Sequence, residues 1–123
     1  MDIQGYQESN RHVKRVGMVI KIRPEYVEQY LSLHHDAHPG VRDLLQKYYL
    51  RNFSIFMHKV GSEFFEFGYF EYTGSSFESD MAGLAAEQRN IEWLKLCDPM
   101  QIPLEGERGW AIMKPIFFNE GVD

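Results

Sequence analysis

The densest group of side chains able to move a proton or hold a metal is His34-His35-Asp36-Ala37-His38. Histidine titrates near neutral pH, so this cluster is a candidate for acid and base work. Two other readings stand beside it. His34 and His38 have the four-residue spacing by which a helix face presents two imidazoles to Zn²⁺, with Asp36 or a distant group as a further ligand. The plainer reading is a solvated helix end, where the dipole favours histidine, and on spacing alone it is the stronger one.

Aromatic residues form the second candidate group. Trp93, Trp110 and the rings between Phe53 and Tyr72 suit a carbohydrate, because a flat ring covers the C–H face of a sugar while polar neighbours read its hydroxyls. Core packing explains most of them equally well. Phe64, Phe65, Phe67, Tyr69 and Phe70 cannot all line one site, and the majority are assigned to core or interface. Glu71 and Glu92 are single carboxylates whose ordinary fate is exposure. Neither a phosphate-cradling glycine loop nor a nucleophile elbow is present.

These residues must be positioned by one domain, since 123 residues leave no room for a second core. A polar leader over residues 1–11 and a single domain over 12–123 are expected. The β-branched run from His12 to Ile22 reads as a strand. Pro24 and Glu25 open a helix in which Tyr26, Tyr30 and His34 recur every four residues until His38-Pro39-Gly40 breaks it. Val41, Leu44, Leu45 and Tyr48 give a shorter helix. Arg51 to Val60 and Glu63 to Tyr72, joined by Gly61-Ser62, form a hairpin. Ser75 and Ser76 are placed to cap a helix through Phe77, Met81, Leu84 and Ala85, and after a break near Gln88–Asn90 a further turn or two carries Ile91 to Leu96. Met100 to Arg108 reads as a loop, and Gly109 to Phe118 as a last strand with an edge or bulge at Pro115.

This order predicts a ferredoxin-like α+β fold, a split βαβ sandwich with an antiparallel sheet. Helices cover one sheet face. The other, rich in Phe and Tyr, needs a cover of its own, and a second copy of the chain is the simplest, giving a homodimer of the dimeric α/β-barrel type.

Composition narrows the partners. Thirteen Lys and Arg against 18 Asp and Glu leave a net charge of −5, which repels a phosphate backbone and argues against nucleic acid. Cys97 stands alone, so no intrachain disulfide or cysteine-based zinc cluster forms. No apolar run approaches the length of a membrane span, and the polar amino end lacks an export signal. A cytoplasmic protein that does not engage membranes is expected.

Several stretches in order resemble the L-rhamnose mutarotases. Tyr30-Leu31-Ser32-Leu33-His34 is similar to the family's Tyr-x-x-x-His, and Arg51 to Phe56 to its Asn-Tyr-Ser-Ile-Tyr strand. Phe67 to Tyr72 matches the next strand. Glu92-Trp93-Leu94-Lys95, Gln101, Pro103-Leu104, Trp110 and Met113 match its last third. The resemblance covers about Arg15 to Phe118. It implies a small dimeric ferredoxin-like isomerase that interconverts sugar anomers, with His34 as proton donor and Tyr30, Phe53, Trp93, Leu94 and His38 around the monosaccharide. Three of those positions depart from the family: His38-Pro39-Gly40 replaces Trp-Pro-Glu, Phe53 replaces a tyrosine, and Trp93-Leu94 replaces a Trp-Trp pair. L-Fucose stands beside L-rhamnose as a second substrate.

Mutarotation needs one proton taken from the anomeric hydroxyl and one given to the ring oxygen, so two proton carriers suffice and no metal or organic cofactor is expected. His34 would be the acid. Asp36, His38 or an ordered water would be its partner, while Tyr30 orients the sugar. Two rivals remain from other classes: a ferredoxin-like monooxygenase or haem protein whose histidine holds iron, and a sugar-binding or structural dimer without catalysis.

Overall fold

The computed structural model of the chain describes residues 13–35 and 39–121; the leader, Asp36 and His38 lie outside that range. Strand β1 is Lys14–Ile22, where Val16, Met18, Ile20 and Ile22 are buried at every second position. Period-two burial is the mark of a strand with one covered face. A 3₁₀ turn over Pro24–Tyr26 leads into α1, Val27–Leu33, so the helix starts three residues after the proline and Tyr26 stays off its buried stripe. Helix α2 is Arg42–Lys47. The hairpin strands are β2, Leu50–Val60, and β3, Glu63–Tyr72, as the sequence predicts.

Helix α3 is Phe77–Ala86 and α4 is Gln88–Cys97. The break between them is the single extended residue Glu87, rather than the stretch Gln88–Asn90, so α4 runs a full ten residues. Ser76 occupies the N-cap of α3 without the expected side-chain bond; its backbone N–H donates to the Tyr72 hydroxyl at 2.8 Å. After a second 3₁₀ turn, Asp98–Met100, the predicted loop holds a short strand β4, Gln101–Ile102. Pro103 ends it. The last strand, β5, is only Ala111–Met113, far shorter than Gly109 to Phe118. Pro115 follows two residues later and has no N–H to extend the ladder.

All pairings are antiparallel, in the order β2-β3-β1-β4, and β5 joins the same edge of β1 lower down, at Gly17 to Val19. This is the expected α+β, ferredoxin-like arrangement. Direct partners share a face, so two surfaces can be read from the register. Ile20, Glu66 and Met57 form one row of the helix-covered face, with Met18, Gly68 and Ile55 beside it. Val19, Phe67, Phe56 and Ala111 form a row of the opposite face. Gly68 has a steric task on the covered face. A Cβ there would lie 2.8 Å from Met18 and 3.3 Å from the Trp110 ring, so only glycine lets that indole lie down on the sheet.

The core divides in two. Val16, Met18, Leu50, Phe70 and Tyr72 pack under α3, and Ile22, Tyr30, Cys97 and Met100 pack under α1 and α4. Among the described residues no helix is long and apolar enough to cross a membrane.

Candidate functional site

A cavity of about 310 Å³ opens between the two core clusters. Its floor is the covered sheet face at Met18, Phe53, Ile55 and Phe70, and its walls come from α1, α2, α3 and α4 with Trp110. Such a volume and a mostly apolar lining with few polar groups suit a small organic ligand. The polar groups are Tyr30, His34, Asn90 and Gln101.

Helix α1 supplies Tyr30 and His34 one turn apart on the same side. Their rings stack with centroids 4.3 Å apart, and the Trp93 indole of α4 meets His34 edge-on at 5.3 Å. His34 sits at the C-cap, where its Nδ1 lies 2.9 Å from the Tyr30 carbonyl oxygen. A carbonyl only accepts, so Nδ1 is the donor in this contact, and Nε2 becomes the nitrogen at which a proton can come and go. Arg42 donates through Nη2 to the carbonyls of His34 and His35, both at 3.2 Å, and so closes the end of α1. His35 is exposed, as its offset of about 100° from His34 predicts.

Below the histidine lies a buried polar network. The Tyr30 hydroxyl donates to Glu66 Oε1 at 2.9 Å and accepts from Gln101 Nε2 at 2.9 Å. Tyr30 is only 4% exposed and Glu66 fully buried. Burial, together with the neighbouring Glu66 charge, pushes the Tyr30 phenol far above its usual range. Desolvation lifts the Glu66 carboxyl to about 7, against the opposing pull of the Tyr30 and Gln101 bonds.

Of the residues singled out from sequence, Tyr30, His34, Phe53, Trp93 and Leu94 all line this one cavity. Gly40, with φ +55°, packs under Trp93: a Cβ there would sit 3.6 Å from the indole. His38 and Asp36, named above as sugar contact, metal ligand or proton carrier, lie outside the described residues. Among the described residues no group of three His, Cys, Asp or Glu is arranged to hold a metal. Glu71, expected to be simply exposed, is half-buried and accepts bonds from Asn52 Nδ2 and the Tyr69 hydroxyl.

Two buried polar groups at or beside the cavity escape a reading of the sequence. Asn90 is buried and donates through Nδ2 to the Leu84 carbonyl. Asn90, Trp93, Leu94 and Cys97 follow the i, i+3, i+4, i+7 spacing of one helix face, and all four line the cavity. Glu66 was hidden in a phenylalanine-rich strand, although its period-two partners Gly68, Phe70 and Tyr72 mark it as inward.

A family model described as L-rhamnose mutarotase matches residues 15–118. No curated protein matches the chain. Among solved structures, an L-rhamnose mutarotase from Formosa agariphila is similar at 15% identity and a TM-score of 0.60, covering 87% of this chain and 99% of its own. A nipsnap family protein of unknown function from Agrobacterium tumefaciens is similar at 16% identity and a TM-score of 0.64, covering 94% and 98%. At these identities both likenesses speak for the fold.

Proposed function

The chain belongs to the L-rhamnose mutarotase family, and from that premise we propose that it is an isomerase interconverting the α and β anomers of a deoxy-hexose, L-rhamnose first and L-fucose second. The observation that carries the reading is the convergence of Tyr30, His34 and Trp93 on one cavity under the helices. The mostly apolar wall suits a sugar that carries a methyl group in place of a hydroxymethyl.

In this reaction His34 is the acid. Its Nε2 gives a proton to the ring oxygen as the C1–O5 bond breaks, and takes it back when the open aldehyde recloses on the other face. The Nδ1 contact with the Tyr30 carbonyl supports this role, because it fixes which nitrogen exchanges the proton. Trp93 covers the sugar ring, and Phe53 and Leu94 shape the wall against it. Phe53 in place of tyrosine and Leu94 in place of tryptophan leave a pocket poorer in hydrogen-bond donors than the family pattern, so sugar choice rests more on shape.

A second copy of the chain covers the other sheet face. Phe56 is 69% exposed there, next to Phe67, Val19 and Ala111 in one cross-strand row, with Met113 also exposed. A contiguous apolar row of this kind favours association over contact with water.

Exchange spectroscopy on a panel of deoxy-hexoses tests the function. Catalytic amounts of protein should broaden and cross-link the two anomeric proton signals of L-rhamnose or L-fucose. No acceleration with any sugar of the panel would leave a binding or structural role.

A further inference from the structure

Glu66 is the group that packing alone does not explain. It lies on the covered face of β3 between Ile20 of β1 and Met57 of β2, neither of which can pair with a carboxyl. Oε1 accepts from the Tyr30 hydroxyl, while Oε2 is buried with no hydrogen-bond partner among the described residues. The lysine nearest in register, Lys21, is on the opposite face and pairs with Glu63 at 2.6 Å. A buried carboxyl without a cation costs stability that an apolar residue there would not.

Its neighbours suggest what it does. Glu66, Tyr30 and His34 all line a second cavity of about 120 Å³, which shares Tyr30, His34 and Ile55 with the larger one. The half-satisfied carboxyl and the histidine therefore border the same space, with the Tyr30 hydroxyl bonded to one and its ring stacked on the other. The titratable groups around Glu66 are Tyr30 and His34 of α1 and the Cys97 thiol of α4; Gln101 of β4 is the neutral donor.

We propose that Glu66 is the second proton-holding group of the ring opening, reached through the Tyr30 hydroxyl, an inference that rests on the mutarotase reading above. The anomeric O–H gives its proton to Tyr30 Oη as Tyr30 passes its own to the Glu66 carboxylate. The electron pair of the breaking C1–O5 bond goes to O5, which is protonated by the His34 imidazolium. Reclosure returns both protons, so the enzyme ends as it began and nothing is oxidised or reduced. Glu66 acts through Tyr30 and is a positioning residue in this scheme. A carboxyl raised to about 7 is populated in both forms near neutral pH, which is where a relay of this kind works best.

The test is the pH profile of L-rhamnose anomer exchange, from about pH 5 to about pH 9, for the wild type and Glu66→Gln. Glutamine keeps an oxygen for the Tyr30 hydroxyl and cannot titrate. The wild-type profile should be a bell, its rising limb near pH 7 set by Glu66 losing its proton and its falling limb by the His34 imidazolium losing its own. Glu66→Gln should lose the rising limb, with kcat about tenfold to a hundredfold lower at the wild-type optimum and KM little changed. Wild-type exchange with the same profile in Glu66→Gln overturns the assignment alone. No exchange by the wild type overturns the mutarotase reading and the assignment with it. Should Glu66→Gln fail to fold, ¹³C carboxyl NMR of the wild type decides: titration of Glu66 at the kinetic inflection supports the relay, and titration in the ordinary carboxylate range overturns it.

Discussion

The two faces of one sheet use similar residues to opposite ends. On the covered face the rings of Phe53, Phe70, Trp93 and Trp110 surround a cavity, and polar groups sit among them, Glu66, Tyr30, Gln101 and Asn90 being buried there. On the open face Phe56, Phe67 and Val19 form a row with Ala111, and polar side chains such as Lys21 and Glu63 meet one another instead. Aromatic content therefore does not distinguish a ligand site from an interface. Buried polar groups do, because they are costly to fold and useful only where a ligand or a proton meets them.

Breaking the covered face first should have the largest effect. His34→Ala is expected to lower anomer exchange by roughly 100- to 10,000-fold, far more than the modest drop in Tm that follows from losing its stack on Tyr30 and its edge contact with Trp93 can account for. His35→Ala, on the exposed side of the same turn, should leave both unchanged.

Breaking the open face should separate association from chemistry. Phe56→Asp combined with Phe67→Asp is expected to weaken dimerisation by about a hundredfold or more, read by sedimentation velocity, while the folded content stays intact. A wild type that sediments as a monomer at micromolar concentration would remove the interface from the comparison.

The buried carboxyl gives a sharper contrast, in stability. Below about 4.5 Glu66 is protonated in folded and unfolded chains alike. As pH rises to about 7 the unfolded chain gives up this proton and the folded one keeps it, so stability falls over that window and is level above it. The loss is on the order of 3 kcal/mol. Denaturant unfolding near pH 5 and pH 8 should show Glu66→Gln losing less stability than the wild type over the interval.

How well each part could be read from sequence follows from how far its signal extends along the chain. Tyr30 and His34 stand one helical turn apart, and Trp93 and Leu94 sit in a helical stretch, so their sharing of a site was legible in local spacing. Glu66 was not, because Phe64, Phe65, Phe67 and Phe70 make both faces of β3 apolar and erase the alternation that shows register. Asn90 was missed for a related reason: placing the helix break at Gln88–Asn90 instead of Glu87 took it out of the helix face it shares with Trp93. Strand β4 is two residues long and β5 only three of the ten residues its run suggests; both are bounded by pairing with β1, some eighty to ninety-five positions away, so the existence of β4 and the shortness of β5 leave no local pattern.

A smaller effect is expected at Trp93. Replacing it with alanine removes the ring that meets His34 and packs over Gly40, and should weaken sugar binding by about tenfold, seen as a raised KM with a modest drop in Tm.

The contrast between the faces is tested most directly by mapping the bound sugar. In ¹H–¹⁵N spectra of the wild type titrated with L-rhamnose, saturable shifts should appear at the Trp93 and Trp110 indoles, at the amides of Tyr30 and His34, and at Gln101, while Phe56, Phe67 and Val19 stay still. Saturable shifts centred on Phe56 and Phe67, with Trp93 and His34 unmoved, would contradict the division and place the ligand on the open face.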